Sequence, residues 1–212
     1  MQLVSLPQQQ LLYDLDETIE SVYFPITCAV STLNVMESGE TVEVAVVTSE
    51  GLVGVSAFFD GNRAFARALV QVAGQAIRLS ARAISEQRKD LPHLCTLVGQ
   101  YAHVFFRQTF ISSGCNHFHS VEQRIARWLV THKDRAGKNS FPFTHAFLSE
   151  MMGVHRSTVT QVIDKLQHEK LVVQGRGRLT IHDEHRLARL ACECYKLEKQ
   201  ALDSFVTHLA TA

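Results

Sequence analysis

Residues 148–167 read LSEMMGVHRSTVTQVIDKLQ. Apolar side chains recur at helical spacing on both sides of a Gly153-Val154 corner: Phe147, Leu148, Met151 and Met152 before it, Val159, Val162, Ile163 and Leu166 after it. That pattern predicts two helices locked at a steep angle by their shared apolar faces. Gly153 falls where the first helix needs a left-handed residue to end. The opposite side of the second helix presents His155, Arg156, Ser157, Thr160, Gln161 and Lys165. These side chains can donate to and accept from base edges and phosphates, and acid is sparse until Asp164. A recognition helix enters a DNA groove by its N-terminal end, which is where the cation and hydroxyls stand.

The flanking segments extend the same reading. LVVQGRGRLTIHD at 171–183 predicts strand, turn and strand, with Gly175 and Gly177 supplying the turn. Arg176 and Arg178 stand at its tip, and no acid occurs from Leu171 to His182, as suits a wing that touches phosphate. Upstream, Thr144 is an N-cap for the first helix. SVEQRIARWLVTHKD at 120–134 predicts an amphipathic helix capped by Ser120, with Ile125, Trp128 and Leu129 on one face. RAGKNS then reads as a loop.

The N-terminal part has a different texture. From about Leu11 to Ser80, short β-type runs alternate with turn residues, as in VYFPITCAVSTLNVM and TVEVAVVT. Strands at this spacing predict an antiparallel roll or barrel. After Pro92 comes a long helical stretch, LCTLVGQYAHVFFRQTFISS. Leu94, Tyr101 and Gln108 fall seven apart, as do Leu97, Val104 and Ile111, with Val98, Phe105 and Phe106 flanking them. This spacing predicts a seam paired with a second copy, with Gln108 setting the register. The expected fold class is α+β: a β-roll over 1–88, a dimerisation helix and hinge over 89–115, and a winged helix-turn-helix with helical tail over 116–212.

Composition is consistent with that division. Residues 1–88 hold ten acids and five bases, residues 89–212 eleven acids and sixteen bases, so a neutral chain separates its charge by half. A basic C-terminal half suits an anionic partner. No apolar run approaches bilayer length, and MQLVSLPQQQ lacks the basic start and apolar core of a signal peptide. Five scattered cysteines without a CxxC pair fit a reduced, cytoplasmic setting.

At this point the chain resembles the Crp/Fnr family of bacterial transcription regulators over almost its whole length. The stretches that carry the resemblance are LSEMMGVHRSTVTQVIDKLQHEKLV with GRGRLTI, then VYFP at 22–25, VEVAVV and EGLVG within 42–54, CNHFHSVEQRIARWL at 115–129 and CECY at 192–195. The resemblance implies a homodimer on a two-fold-related operator in double-stranded DNA, with RNA polymerase as a further partner. It also implies recognition helices about one duplex turn (~34 Å) apart. Arg156 matches the arginine that reads a guanine in the cyclic-AMP-responsive members. Ser157 replaces their glutamate and Gln161 their second arginine, which implies a different operator. Thr144 and His145 match phosphate-touching positions, and Thr158 a structural or phosphate-contacting threonine. An effector acting on the roll would re-space the recognition helices through the dimer helix.

The sensor part departs from the family pattern. Cyclic-nucleotide-binding members carry a Gly-Glu-Leu turn whose glutamate holds the ribose and a following arginine that meets the cyclic phosphate. Here the turn is Gly54-Val55-Ser56, with Arg63 or Arg67 near the phosphate position. With Val55 in place of the acid, no cyclic nucleotide is expected, and no cofactor. Clustered N-terminal cysteines for an iron–sulfur cluster are absent before Cys28. Since LPQQQLLYDLDETIESVYFP begins close to the family's first strands, the family's leading helix is not expected before them.

Three other constellations bear on function. Cys115 and His119 share a helical face but supply two ligands of the four in a closed tetrahedral site. Cys192 and Cys194, with His182 and His185 nearby, could bind a metal or respond to oxidation, and are read as tail packing, so no metal site is expected. His117-x-His119 stands in a helical context, outside any strand, which excludes a cupin-type enzyme. No Gly-x-Ser-x-Gly, Walker loop or zincin pattern occurs, so no enzyme is expected. The alternative to DNA binding is an interaction module whose winged helix contacts protein.

Overall fold

The computed structural model describes residues 1–59 and 62–211. Ten strands and seven α-helices occur among them. The chain divides into two compact units: residues 1–35, 44–109 and 200–212, and residues 36–43 and 110–199.

The first unit is built from antiparallel sheet. β1 (Gln2–Leu6), β7 (Gly74–Ser80) and β3 (Ser21–Pro25) form one sheet in the order β1-β7-β3. β2 (Leu11–Tyr13), β6 (Arg67–Val72), β4 (Ala29–Val35) and β5 (Thr41–Val47) form the other, in the order β2-β6-β4-β5. Val22, Val30, Ala68, Val70 and Ala76 alternate inward and are fully buried. α1 (Ala81–Gln87) follows, capped by the Ser80 hydroxyl accepting from Ala83 N. The expected roll is therefore present.

α2 (Pro92–Phe118) leaves this unit and contributes its last third, from Phe110, to the other. Here the seam read from the sequence needs correction. Tyr101, Val104 and Phe105 are buried in the roll's own core, where Tyr101 packs on Phe105 and Phe205 with ring centroids 6.3 and 6.0 Å apart. Leu94 packs against the same core, Gln108 is buried, and Ile111 packs against Cys115, Cys192 and Cys194. Of the expected seam only Leu97 is exposed. The solvent face of α2 instead carries Thr96, Gly99, His103, Phe106, Phe110, Ser113 and His117, spaced three or four apart. An apolar heptad on this helix serves its own domain first, and the exposed repeat lies beside it.

The second unit contains α3 (Val121–Ala136), β8 (Ser140–Pro142), α4 (His145–Met152), α5 (Arg156–His168), β9 (Val172–Gly175), β10 (Arg178–Ile181) and α6 (Glu184–Leu190). α7 (Cys194–Thr211) begins here and ends in the first unit. Two segments thus fall on the other side of the division that the sequence predicts: residues 36–43 belong with the C-terminal unit, and residues 200–212 with the roll. Thr41 explains the first, since its hydroxyl donates to the Glu150 carbonyl at 3.1 Å. Among the described residues no helix is long and apolar enough to cross a membrane.

Candidate nucleic-acid interface

Ser120 opens α3 with a reciprocal capping box: its hydroxyl accepts from Gln123 N while the Gln123 side chain accepts from Ser120 N. Buried Arg124 on α3 then donates to the Met152 carbonyl at the end of α4. Trp128 anchors the same side, stacked on His132 and edge-on to Phe141 and Phe147. α4 starts at Thr144, whose hydroxyl accepts from Phe147 N at 3.0 Å, and ends at Gly153 with φ of 60°. A side chain at Gly153 would also meet Val42 Cβ at 3.1 Å, so glycine is required there on two counts.

α5 is thereby held by its inner face. Val159, Ile163 and Leu166 are fully buried. His155, Arg156, Ser157, Gln161, Asp164 and Lys165 are exposed. Among the described residues, no hydrogen bond or ion pair within the chain engages the side chains of Arg156, Ser157 or Gln161, so their polar ends are available to an external partner. Thr158 is half-buried on the first turn, its N–H bonded to the His155 carbonyl.

Several of the expected contact residues are instead engaged within the fold. His145 Nδ1 lies 2.8 Å from Thr160 Oγ1, and Nε2 lies 3.0 Å from Gln174 Oε1 on β9. The Thr160 hydroxyl also lies 3.1 Å from the Arg156 carbonyl, so it faces into the protein. His145 therefore ties α4, α5 and the wing together with both ring nitrogens. Lys165 donates to Glu122 on α3 at 2.7 Å. Thr144 spends its hydroxyl on the helix cap described above.

The wing is a three-stranded sheet in the order β8-β10-β9. β8 lies in the stretch from 140 onward that the sequence pattern leaves outside any element. Three residues ending in proline give no alternation to read, yet Phe141 pairs with Leu179 and is buried. Gly175 pairs with Arg178, which leaves Arg176 and Gly177 as a two-residue turn with φ of 51° and 72°. Both central residues are left-handed, the geometry that matches the twist of a hairpin. Arg176 thus sits at the tip, exposed, its side chain engaged with nothing among the described residues. Arg178 is different: its guanidinium donates to Ser140 Oγ at 3.2 Å and Ser140 O at 2.9 Å.

In the roll, Val55 begins a short 3-10 turn after Gly54, which has φ of 94°, and its side chain is buried. The space lined by Tyr13, Leu52, Val55, Phe65 and Phe105 amounts to about 10 Å³, roughly one water. The two candidate phosphate arginines are engaged elsewhere. Arg67 makes a bidentate pair with Asp14 at 2.7 and 2.9 Å, which holds that carboxyl below its usual range, and Arg63 donates to the Asp16 carbonyl.

The second unit also gathers the two cysteine groups that stand apart in the sequence. Cys115 Sγ lies 3.5 Å from Cys192 Sγ, and Cys194 Sγ lies 3.7 Å from His119 Nδ1. One ligand atom from each of the four residues falls within 4.8 Å of the other three. The hydrogen bond from the Cys115 thiol holds the Cys192 thiol below its ordinary range, while burial pushes the Cys194 thiol up. His182 and His185 remain exposed and are not part of this group.

Comparison with known proteins places both units. The cyclic nucleotide-binding domain family matches residues 3–90, and the Crp-like helix-turn-helix domain family matches residues 123–190. A global nitrogen regulator from Nostoc sp. is 23% identical over 180 residues, covering 80% of each chain. Among solved structures, FixK2 from Bradyrhizobium japonicum matches with a TM-score of 0.74 at 15% identity, over 90% of this chain and 97% of that one. A CRP-family transcriptional regulator from Thermus thermophilus matches with a TM-score of 0.73 at 18% identity, over 90% of this chain and 96% of that one. At these identities the structural likeness speaks for the fold.

Proposed function

Since this chain belongs to the Crp/Fnr family of transcription regulators, we propose that it is a sequence-specific DNA-binding regulator acting as a homodimer. The observation that carries this reading is Arg156, exposed and with its side chain unengaged on the first turn of α5, beside exposed Ser157 and Gln161. Its helix is fixed from behind by a buried face, so the N-terminal end is presented as a rigid edge suited to the major groove. Arg156 reads a base, Arg176 meets phosphate from the wing tip, and Ser157 and Gln161 set the rest of the half-site. His145, Thr160 and Arg178 hold this surface in place, while Thr158 lines the entry turn.

The dimer forms along the exposed face of α2. Phe106 and Phe110 are 56% and 76% exposed, too apolar a surface for a helix that faces only water. Gly99 has open space beside it and lets a second helix approach closely. The roll serves as a scaffold or receives a signal other than a cyclic nucleotide. Val55 in place of an acid, the internally engaged Arg63 and Arg67, and the single-water space support that view. Contact with RNA polymerase follows from the family role and is part of the proposal.

Selection of random duplex oligonucleotides by the purified protein tests the reading. It should recover an inverted repeat with half-sites about one helical turn apart. Recovery of no enriched sequence, with binding to a protein partner through α5 instead, would overturn it.

A further inference from the structure

We propose that Cys115, His119, Cys192 and Cys194 form a structural zinc site in the DNA-binding unit. The geometry is the first support. Zinc sits about 2.3 Å from thiolate sulfur and about 2.0 Å from imidazole nitrogen, so tetrahedral ligands lie roughly 3.5–3.8 Å apart. The observed Sγ–Sγ and Sγ–Nδ1 separations of 3.5 and 3.7 Å match those edges, and all four ligand atoms converge within 4.8 Å. Three sulfurs and one nitrogen are a soft donor set that selects zinc over calcium or magnesium. All three cysteines are at most 5% exposed, so four protein ligands would close the site with no position left for substrate.

The surroundings supply a second, independent line. His119 Nε2 lies 3.0 Å from Glu193 Oε2, so its N–H donates outward and the Nδ1 lone pair faces the sulfurs. A carboxylate holding the far nitrogen is the usual outer support of a zinc-bound histidine. Charge agrees as well. Arg124, Arg127 and Glu198 are all buried, and Arg127 pairs with Glu198. Cys115 and Cys192 are close enough to act on both guanidiniums. Zinc with three thiolates and a neutral imidazole carries one negative charge, which suits a site beside two arginines.

A disulfide between Cys115 and Cys192 would leave Cys194 and the oriented imidazole without a role. An iron–sulfur cluster spreads its cysteine sulfurs over several irons, wider apart than these. Binding zinc requires all three cysteines as thiolates, displacing the protons they still carry, and joins the last turn of α2 to the α6–α7 junction.

The test uses full-length protein purified under reducing conditions. Zinc analysis should give one ion per chain. Cobalt(II) added to the chelator-stripped protein should give thiolate-to-metal charge transfer and the visible bands of tetrahedral cobalt. Cys115→Ser and Cys192→Ser should abolish both signals, Cys28→Ser and Cys95→Ser should keep them, and Glu193→Gln should weaken affinity roughly 10- to 100-fold. Should the serine variants fail to fold, a mercurial thiol titration of the wild type still decides, since zinc release must track three thiols. Absent zinc with no tetrahedral cobalt spectrum, zinc release uncoupled from thiol titration, or a Cys115–Cys192 disulfide in its place would overturn the proposal.

Discussion

His145 Nδ1 and Thr160 Oγ1 lie 2.8 Å apart, so the first helix of the helix-turn-helix holds the second by a side chain that the family pattern assigns to phosphate. With Nε2 on Gln174, the same ring also fixes the wing. Gln174 N in turn donates to Gln167 Oε1 at 3.0 Å, which closes a network across α4, α5 and β9. His145→Ala should cost roughly 1–3 kcal/mol of stability in this unit, from two lost hydrogen bonds and the polar groups they leave. Trp128 is the only tryptophan and lies in this unit, so its fluorescence in a urea titration reads the change directly. An unshifted midpoint would return His145 to the set of free surface groups.

The specificity of α5 should rest on Arg156. Arg156→Ala is expected to lose roughly 1–3 kcal/mol of base discrimination at one position of each half-site. Competition with single-position operator variants measures it, and unchanged preference there would assign the reading to Gln161 or Ser157.

Arg176 combines a left-handed backbone with an unengaged cation. Arg176→Gly relieves a backbone cost of roughly 1–2 kcal/mol, yet removes a phosphate contact. Stability should therefore stay equal or rise while DNA affinity falls uniformly across sequences. A sequence-dependent loss would mean that Arg176 enters a groove.

What was legible depended on how local the cause was. The helix-turn-helix, the Ser120 and Thr144 caps and the Gly153 stop are set within one or two turns, and each stands where the pattern put it. The dimer face was harder, because an apolar heptad does not say whether its partner is the chain's own roll or a second helix. Tyr101 and Phe105 went inward, and Phe106 and Phe110 were left outside. The cysteine cluster was out of reach for another reason. Cys115 and Cys192 are 77 residues apart, and only the fold makes two half-sites into one.

The outer face of α2 makes a clean prediction. Phe110→Glu places a charge on the exposed stripe and should shift the protein from dimer to monomer in sedimentation, a loss of roughly 2 kcal/mol or more. Secondary structure should stay unchanged, since Phe110 is 76% exposed. A dimer that survives both Phe106→Glu and Phe110→Glu would move the interface elsewhere.

His132 should make the helix-turn-helix unit acid-sensitive. Burial against Trp128 and Phe141 pushes its imidazole down to about 4. The unfolded chain takes up the proton near 6.5 and the folded one does not, so stability is full above about 6.5 and is lost as pH falls toward 4. The gap corresponds to roughly 3 kcal/mol. His132→Phe should flatten that part of the pH profile, read by Trp128 fluorescence. An equal slope in both proteins would place the acid sensitivity elsewhere.

The central claim, that α5 and the wing form a DNA-binding surface, is tested most directly by a salt titration of binding to the selected duplex. Phosphate contacts release counterions, so log K should fall linearly with log salt, by roughly 0.9 per contact. Arg176→Gly should reduce the slope by about one per chain. Binding that is flat in salt, or absent at low salt, would contradict the account.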